Sequence, residues 1–178
     1  HHEHWCSWCT RVLELMAIRV FLSVVATAVL LATTGQAFAK VKVFACEPEW
    51  AALAREIGGS RVTAYSATHA QQDPHHIRAR PSLLAKIRRA NLVFCSGAGL
   101  EVGWLPLLLQ RGGSGLQAGA AGHLMAADYI EVIEKPISID RSLGDLHPEG
   151  NPHVHLDPHN ILILARTLSE RLSEIDPS

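Results

Sequence analysis

Residues 41–65 read VKVFACEPEWAALAREIGGSRVTAY. Val41 to Ala45 is a short run of β-branched and aromatic residues, the composition of a buried strand. Pro48 suits the first turn of a helix, where its fixed φ and missing N–H cost nothing. Trp50, Leu53 and Ile57 recur at helical spacing, and Gly58-Gly59 stops the pattern. Val62 to Tyr65 then returns to strand composition. The stretch predicts a strand, a helix and a second strand in close succession.

The same alternation continues outward. Pro81 opens a helix with Leu83, Leu84 and Ile87 apolar and Lys86, Arg88 and Arg89 outside. Leu92 to Cys95 is a third strand, ending in Ser96-Gly-Ala-Gly99. Leu100 to Gln110 predicts a helix carrying Trp104. Residues 112–122 are rich in Gly and Ala and show no period. Tyr129 to Ile133 predicts a fourth strand, and residues 136–152 a polar loop. Pro158 occupies the first turn of the last helix, with Asp157 as N-cap and Leu162, Ala165, Leu168 and Leu172 on one face. Alternation of this kind specifies an α/β fold, a parallel β-sheet flanked by helices in a Rossmann-like lobe. Such sheets bind ligands outside the carboxyl ends of their strands.

The residues before this lobe read differently. Met16-Ala-Ile-Arg19 is a short basic lead, Val20 to Ala32 an apolar run too short to span a bilayer comfortably, and Ala37-Phe-Ala39 a small-x-small motif. The reading is a secretory signal peptide, with translation starting at Met16 and cleavage after Ala39. Residues 1–39 are then upstream sequence and signal, and residues 40–178 the mature lobe. Cys6-Ser-Trp-Cys9 falls in the upstream part. Cys46 and Cys95 each close a predicted strand. Export permits a disulfide between them, and two small buried thiols fit as well.

A chain of 178 residues is long enough for one real core, and its net charge of −1 gives no electrostatic case for binding nucleic acid or an anionic membrane. Eleven histidines are the compositional anomaly. An Asp or Asn, then Pro, then His recurs as Asp73-Pro-His75, Asn151-Pro-His153 and Asp157-Pro-His159. Neutral imidazole is a ligand for zinc and manganese, and a preceding proline limits the freedom the loop loses on binding. Asp73 or Asp157 can accept a ring N–H and fix a tautomer. His75 and His153 are the candidate ligands. His76, His155 and His159 read as neighbours or solvent-facing, His147 as a transient contact in the polar loop, and His69 and His123 as isolated. A secreted zinc-dependent hydrolase, with Glu101 or Glu149 as base, is weakened by the lack of a His-Glu-x-x-His motif. A nucleotide site is weakened by Cys46-Glu-Pro-Glu49 after the first strand, which has no glycine-rich turn and two carboxylates.

Several phrases resemble a known family. They are Glu56-Ile-Gly-Gly59, Asp73-Pro-His75 with Pro81-Ser82, Ala90-Asn-Leu-Val93, Gly97-Ala-Gly-Leu-Glu101 with Trp104-Leu105, and Asn151-Pro-His153 with Leu156-Asp-Pro158. Together they are similar to the metal-binding receptors of ABC importers, the zinc-uptake and TroA-like proteins, over almost all of residues 41–178. The resemblance implies a non-enzymatic, monomeric periplasmic protein that captures zinc, with manganese as the alternative, and passes it to an inner-membrane ABC permease. It implies His75 and His153 as ligands, and a second lobe, beyond this chain, supplying a further His and an acidic ligand. Three features depart from the family pattern: His155 stands where an aromatic is usual, His76-Ile77 replaces another residue and an aromatic, and the His/Asp-rich loop is reduced to Asp145-Leu-His147-Pro-Glu149. His76 and His155 stay open as further ligands.

Overall fold

The computed structural model describes residues 39–136 and 147–177, together with residues 14, 16 and 18–21. The chain divides into two units, residues 1–38 and 39–178. In the first, the described residues are helical and exposed. Most of the apolar run and of the Ala37–Ala39 motif lies outside the described residues. Among the described residues, no helix is long and apolar enough to cross a membrane.

The second unit is built on four parallel strands: β1 (Val41–Ala45), β2 (Val62–Ser66), β3 (Leu92–Cys95) and β4 (His123–Met125). Their order is β2-β1-β3-β4. β1 connects to β2 through α1 (Pro48–Gly58), β2 to β3 through α2 (Pro81–Ile87), and β3 to β4 through α3 (Leu105–Leu109). The last helix is α4 (Pro158–Ile175), with Asp157 accepting from the His159 N–H at 2.8 Å as its N-cap.

Alternating residues of β1 feed two cores. Val41, Val43 and Ala45 pack with Trp50, Ala51 and Ala54 of α1 and Leu164 and Leu168 of α4. Phe44 packs with Leu83 and Ile87 of α2 and Leu105 and Leu108 of α3 on the other face. Burial on both faces explains why β1 and β3 read as near-continuous apolar runs. The chain leaves β1 in one direction across the sheet and returns past it to β3. The carboxyl ends of β1 and β3 therefore flank the switch point of the sheet.

Cys46 directly follows β1 and Cys95 is the last residue of β3, and the two form a disulfide, with Cα atoms 4.8 Å apart. Of the two readings open in the sequence, the structure takes the bridge.

Four expectations are corrected. The fourth strand is His123–Met125, not residues 129–133. Ile130 and Val132 instead pack against the first core from an irregular segment. The helix expected from Leu100 begins at Leu105, because Gly97, Ala98 and Gly99 all have positive φ and the chain turns through residues 98–104 first. On α1 the buried stripe is Trp50, Ala51 and Ala54, and Ile57 faces solvent. On α4 the stripe is Leu164 and Leu168, while Leu162 is half exposed.

Candidate metal centre

The three Asx-Pro-His phrases fold alike. The side-chain oxygen of Asp73 accepts the His75 backbone N–H at 3.0 Å, Asn151 that of His153 at 3.0 Å, and Asp157 that of His159 at 2.8 Å. Each is an Asx turn, a local bond that Asp and Asn make readily and that proline pre-shapes. The recurring sequence is thus a recurring way of presenting an imidazole.

Asp73 does more than close its turn. Its Oδ1 lies 2.6 Å from His75 Nδ1, and its Oδ2 lies 2.9 Å from His76 Nδ1. These bonds, that from His76 first, hold the Asp73 carboxyl well below the usual carboxylate range. The ionised carboxylate can only accept, so His75 donates its Nδ1–H to it, and its Nε2 lone pair faces the cleft. This arrangement orients metal-binding imidazoles generally. The loop is tied down by Trp104, whose indole N–H donates to the Pro74 carbonyl at 2.8 Å.

His75 opens onto a cleft of about 290 Å³ that it shares with Glu134, Pro136, His147, Asn151 and His153. Both candidate ligands therefore border one space, although β2 and the approach to α4 deliver them separately. Asn151 and His153 also line an adjoining cavity of about 570 Å³ bounded by Ile133, Leu156 and Ile163. His153 is exposed, and its ring meets that of His155 edge-on at 6.0 Å.

His147 was expected only as a transient contact, yet its Nε2 lies 2.9 Å from Nε2 of His75. Its ring sits over the glycine turn after β3, where a Cβ at Gly99 would come 3.7 Å from its Nδ1. The donor atoms of His75, His147 and His153 do not gather as a trio. Among the described residues, the one such grouping within 4.8 Å is Cys46, Cys95 and Glu101, whose sulfurs are tied in the disulfide.

The other described histidines turn elsewhere. His76 is bonded to Asp73 and largely exposed. His155 is turned toward Glu49, 3.4 Å away, and toward the edge of Trp50. His159 is exposed at the start of α4. His69 contacts its own loop, and His123 faces the Leu116 carbonyl at 2.9 Å.

At the switch point lies a buried polar group, whose association of Glu47, Ser96 and Glu101 the sequence reading did not anticipate. The Trp50 indole donates to the Ser96 hydroxyl at 2.9 Å, and that hydroxyl donates to Glu47 at 3.3 Å. The backbone N–H groups of Ser96 and Gly97 donate to the two oxygens of Glu101 at 2.8 and 3.1 Å. Burial, then the neighbouring charge of Glu101, push the Glu47 carboxyl up to about 10, and burial raises Glu101 as well. Glu47 is thus a protonated acid at neutral pH. Glu101 spends its oxygens on the turn, so it is not aimed at the cleft as a general base.

Comparison with known proteins bears on this arrangement. The family described as zinc-uptake complex component A, periplasmic, matches residues 43–178. The manganese ABC transporter substrate-binding lipoprotein PsaA of Streptococcus anginosus is 29% identical over 150 residues, covering 83% of this chain and 45% of PsaA. The metal ABC transporter substrate-binding lipoprotein ScbA of Streptococcus cristatus is 26% identical, covering 92% of this chain and 51% of ScbA. The chain therefore spans about half the length of these relatives. Among solved structures, a manganese-bound periplasmic metal-binding protein from Candidatus Liberibacter asiaticus superposes with a TM-score of 0.61 at 22% identity, over 78% of this chain and 47% of the other. ZnuA superposes with a TM-score of 0.59 at 23% identity, over 78% of this chain and 48% of its own. At that identity the likeness bears on the fold, and the fold is shared.

Proposed function

The chain belongs to the periplasmic zinc-uptake component A family, and on that premise we propose that it is the ion-capturing part of a metal ABC importer's substrate-binding protein. Its relatives are substrate-binding components of such transporters rather than enzymes, and nothing in them supports a hydrolase. The cargo is a divalent transition metal. Zinc is favoured by an imidazole-rich donor set. Manganese is the second reading, favoured by the names of several relatives. The protein works outside the cytoplasm, after removal of residues 1–39, as a monomer that hands its ion to a membrane permease. A second lobe adds the remaining ligands.

His75 and His153 are the ligands this half contributes. The observation that carries the reading is the Asp73-oriented His75 ring, which opens its Nε2 side onto a cleft it shares with His153. The protein does no chemistry on its cargo. It supplies preoriented nitrogen donors and releases the ion unchanged. The test is zinc affinity of the full chain by competition with a chromophoric chelator. His75→Ala and His153→Ala are each expected to weaken binding at least about tenfold. Unchanged affinity in both variants would refute the assignment.

A further inference from the structure

We propose that the face built by α2, its flanking turns and α3 is a docking surface for an anionic phospholipid bilayer. The inference goes beyond capture of the ion and uses none of its ligands.

Charge is the first ground. Between residues 74 and 122 the chain carries Arg78, Arg80, Lys86, Arg88, Arg89 and Arg111 against one carboxylate, Glu101. Glu101 is buried and spends its oxygens on the turn after β3, so it does not offset the surface charge. All six cations are exposed. Among the described residues none of the six is paired with a carboxylate; the paired arginines are Arg61 and Arg171. The balancing acids lie before residue 74 and after residue 122. The whole-chain charge of −1 conceals this division, so the case against an anionic membrane that rests on it does not hold for this face.

Placement is the second ground. α2 and α3 share the core of Leu83, Ile87, Leu105 and Leu108 on one side of the sheet, while α1 and α4 cover the other. Arg78 and Arg80 lead into α2, Lys86 lies in its last turn, and Arg88 and Arg89 follow it. A Cβ at Gly112, next to Arg111, would come 3.6 Å from Ile87. The cations therefore run the length of one helix and onto its neighbour. Val102 and Leu107, on the α3 side, are exposed as well.

The form of the face selects the occupant. None of the six cations lines the cleft or the cavity beside it, so the charge is spread over open surface rather than gathered around one enclosed anion. A spread of cations matches the spread of phosphates on a bilayer. Five of the six are arginine, whose weakly hydrated fork takes phosphate bidentately. Val102 and Leu107 add apolar area at the headgroup boundary. In a receptor that serves a membrane permease, such a face keeps the protein at the bilayer that holds the permease.

The experiment is co-sedimentation of the full chain with vesicles of phosphatidylcholine alone and of an equal mixture with phosphatidylglycerol. Binding is expected to the mixed vesicles only, and to be lost at about 1 M salt, where the Debye length falls to about 3 Å. Each cation near an anionic surface contributes about fivefold to partition, so Arg88→Glu with Arg89→Glu is expected to weaken it at least about 25-fold. Arg166→Glu, at an exposed position of α4, is expected to leave it nearly unchanged. Thermal midpoints of both variants are compared with the parent's, so that loss of fold is not read as loss of binding. Equal binding to the two vesicle types, binding to neither, or an equal loss in Arg166→Glu would overturn the proposal. Capture on immobilised polyglutamate without vesicle binding would overturn it too, and would assign the face to an acidic protein segment. The zinc assay of His75→Ala and His153→Ala tests the receptor reading separately.

Discussion

Asp73→Asn tests how the site is preoriented. Asp73 has two jobs: its Oδ1 accepts the His75 backbone N–H at 3.0 Å and the His75 ring N–H at 2.6 Å. The protein contains its own control for the first job. Asn151 closes the equivalent turn at His153 with the same 3.0 Å bond. Asparagine at position 73 is therefore expected to keep the loop's shape and lose the charged acceptor for the ring. Without it, His75 is free to rotate and to hold its proton on either nitrogen. Loss of such a partner behind a metal-bound histidine weakens affinity by about 10- to 100-fold. Asp73 is half exposed, so the thermal midpoint is expected to move by no more than a few degrees. Chelator competition measures the first quantity and thermal denaturation the second. Zinc affinity within twofold of the parent, with the turn intact, would refute the reasoning.

Two further predictions follow from the residues at the switch point. Glu47 has its pKa raised from 4.5 to about 10, so the folded chain holds a proton that the unfolded chain releases, and stability falls as pH climbs through that window. Glu47→Gln is expected to flatten that decline in urea denaturation between about pH 5 and 9; a variant whose stability falls as steeply as the parent's would contradict it. The Cys46–Cys95 bridge closes a separation of 49 residues, so its reduction, or Cys46→Ser with Cys95→Ser, is expected to cost about 4 kcal/mol by loop-closure entropy. Equal denaturation midpoints with and without reductant would sink that estimate.

The parts of the fold that were legible in the sequence are those with local punctuation. Pro48 and Gly58-Gly59 bracket α1, Pro81 opens α2, and Asp157-Pro158 opens α4, each within the chemistry of a helix end. β4 escaped because it is three residues long and only Leu124 is buried, which leaves no period to detect. Residues 129–133 carry the alternation instead, since Ile130 and Val132 reach the core without joining a ladder. The exposed Ile57 and Leu162 show the same limit: spacing picks out an apolar stripe but not its rotation, which on α1 buries Trp50, Ala51 and Ala54 and on α4 buries Leu164 and Leu168.

In the site, Asp73 and His75 were readable because their bond is local. The approach of His147 to His75 and the bond from Trp104 to Pro74 join distant segments, and only the assembled sheet brings them together. Glu47 and Glu101 were read as repelling charges or a general base. Burial makes them a structural support for the turn after β3.

The central claim is that the cargo ion sits among the histidines of this cleft, and zinc X-ray absorption spectroscopy of the loaded full chain measures it most directly. The account predicts a shell of nitrogen and oxygen at about 2.0–2.1 Å with imidazole scattering, reduced by one imidazole in His153→Ala. A sulfur shell at about 2.3 Å, which would put the ion at Cys46 and Cys95, or a shell without imidazole, would contradict it.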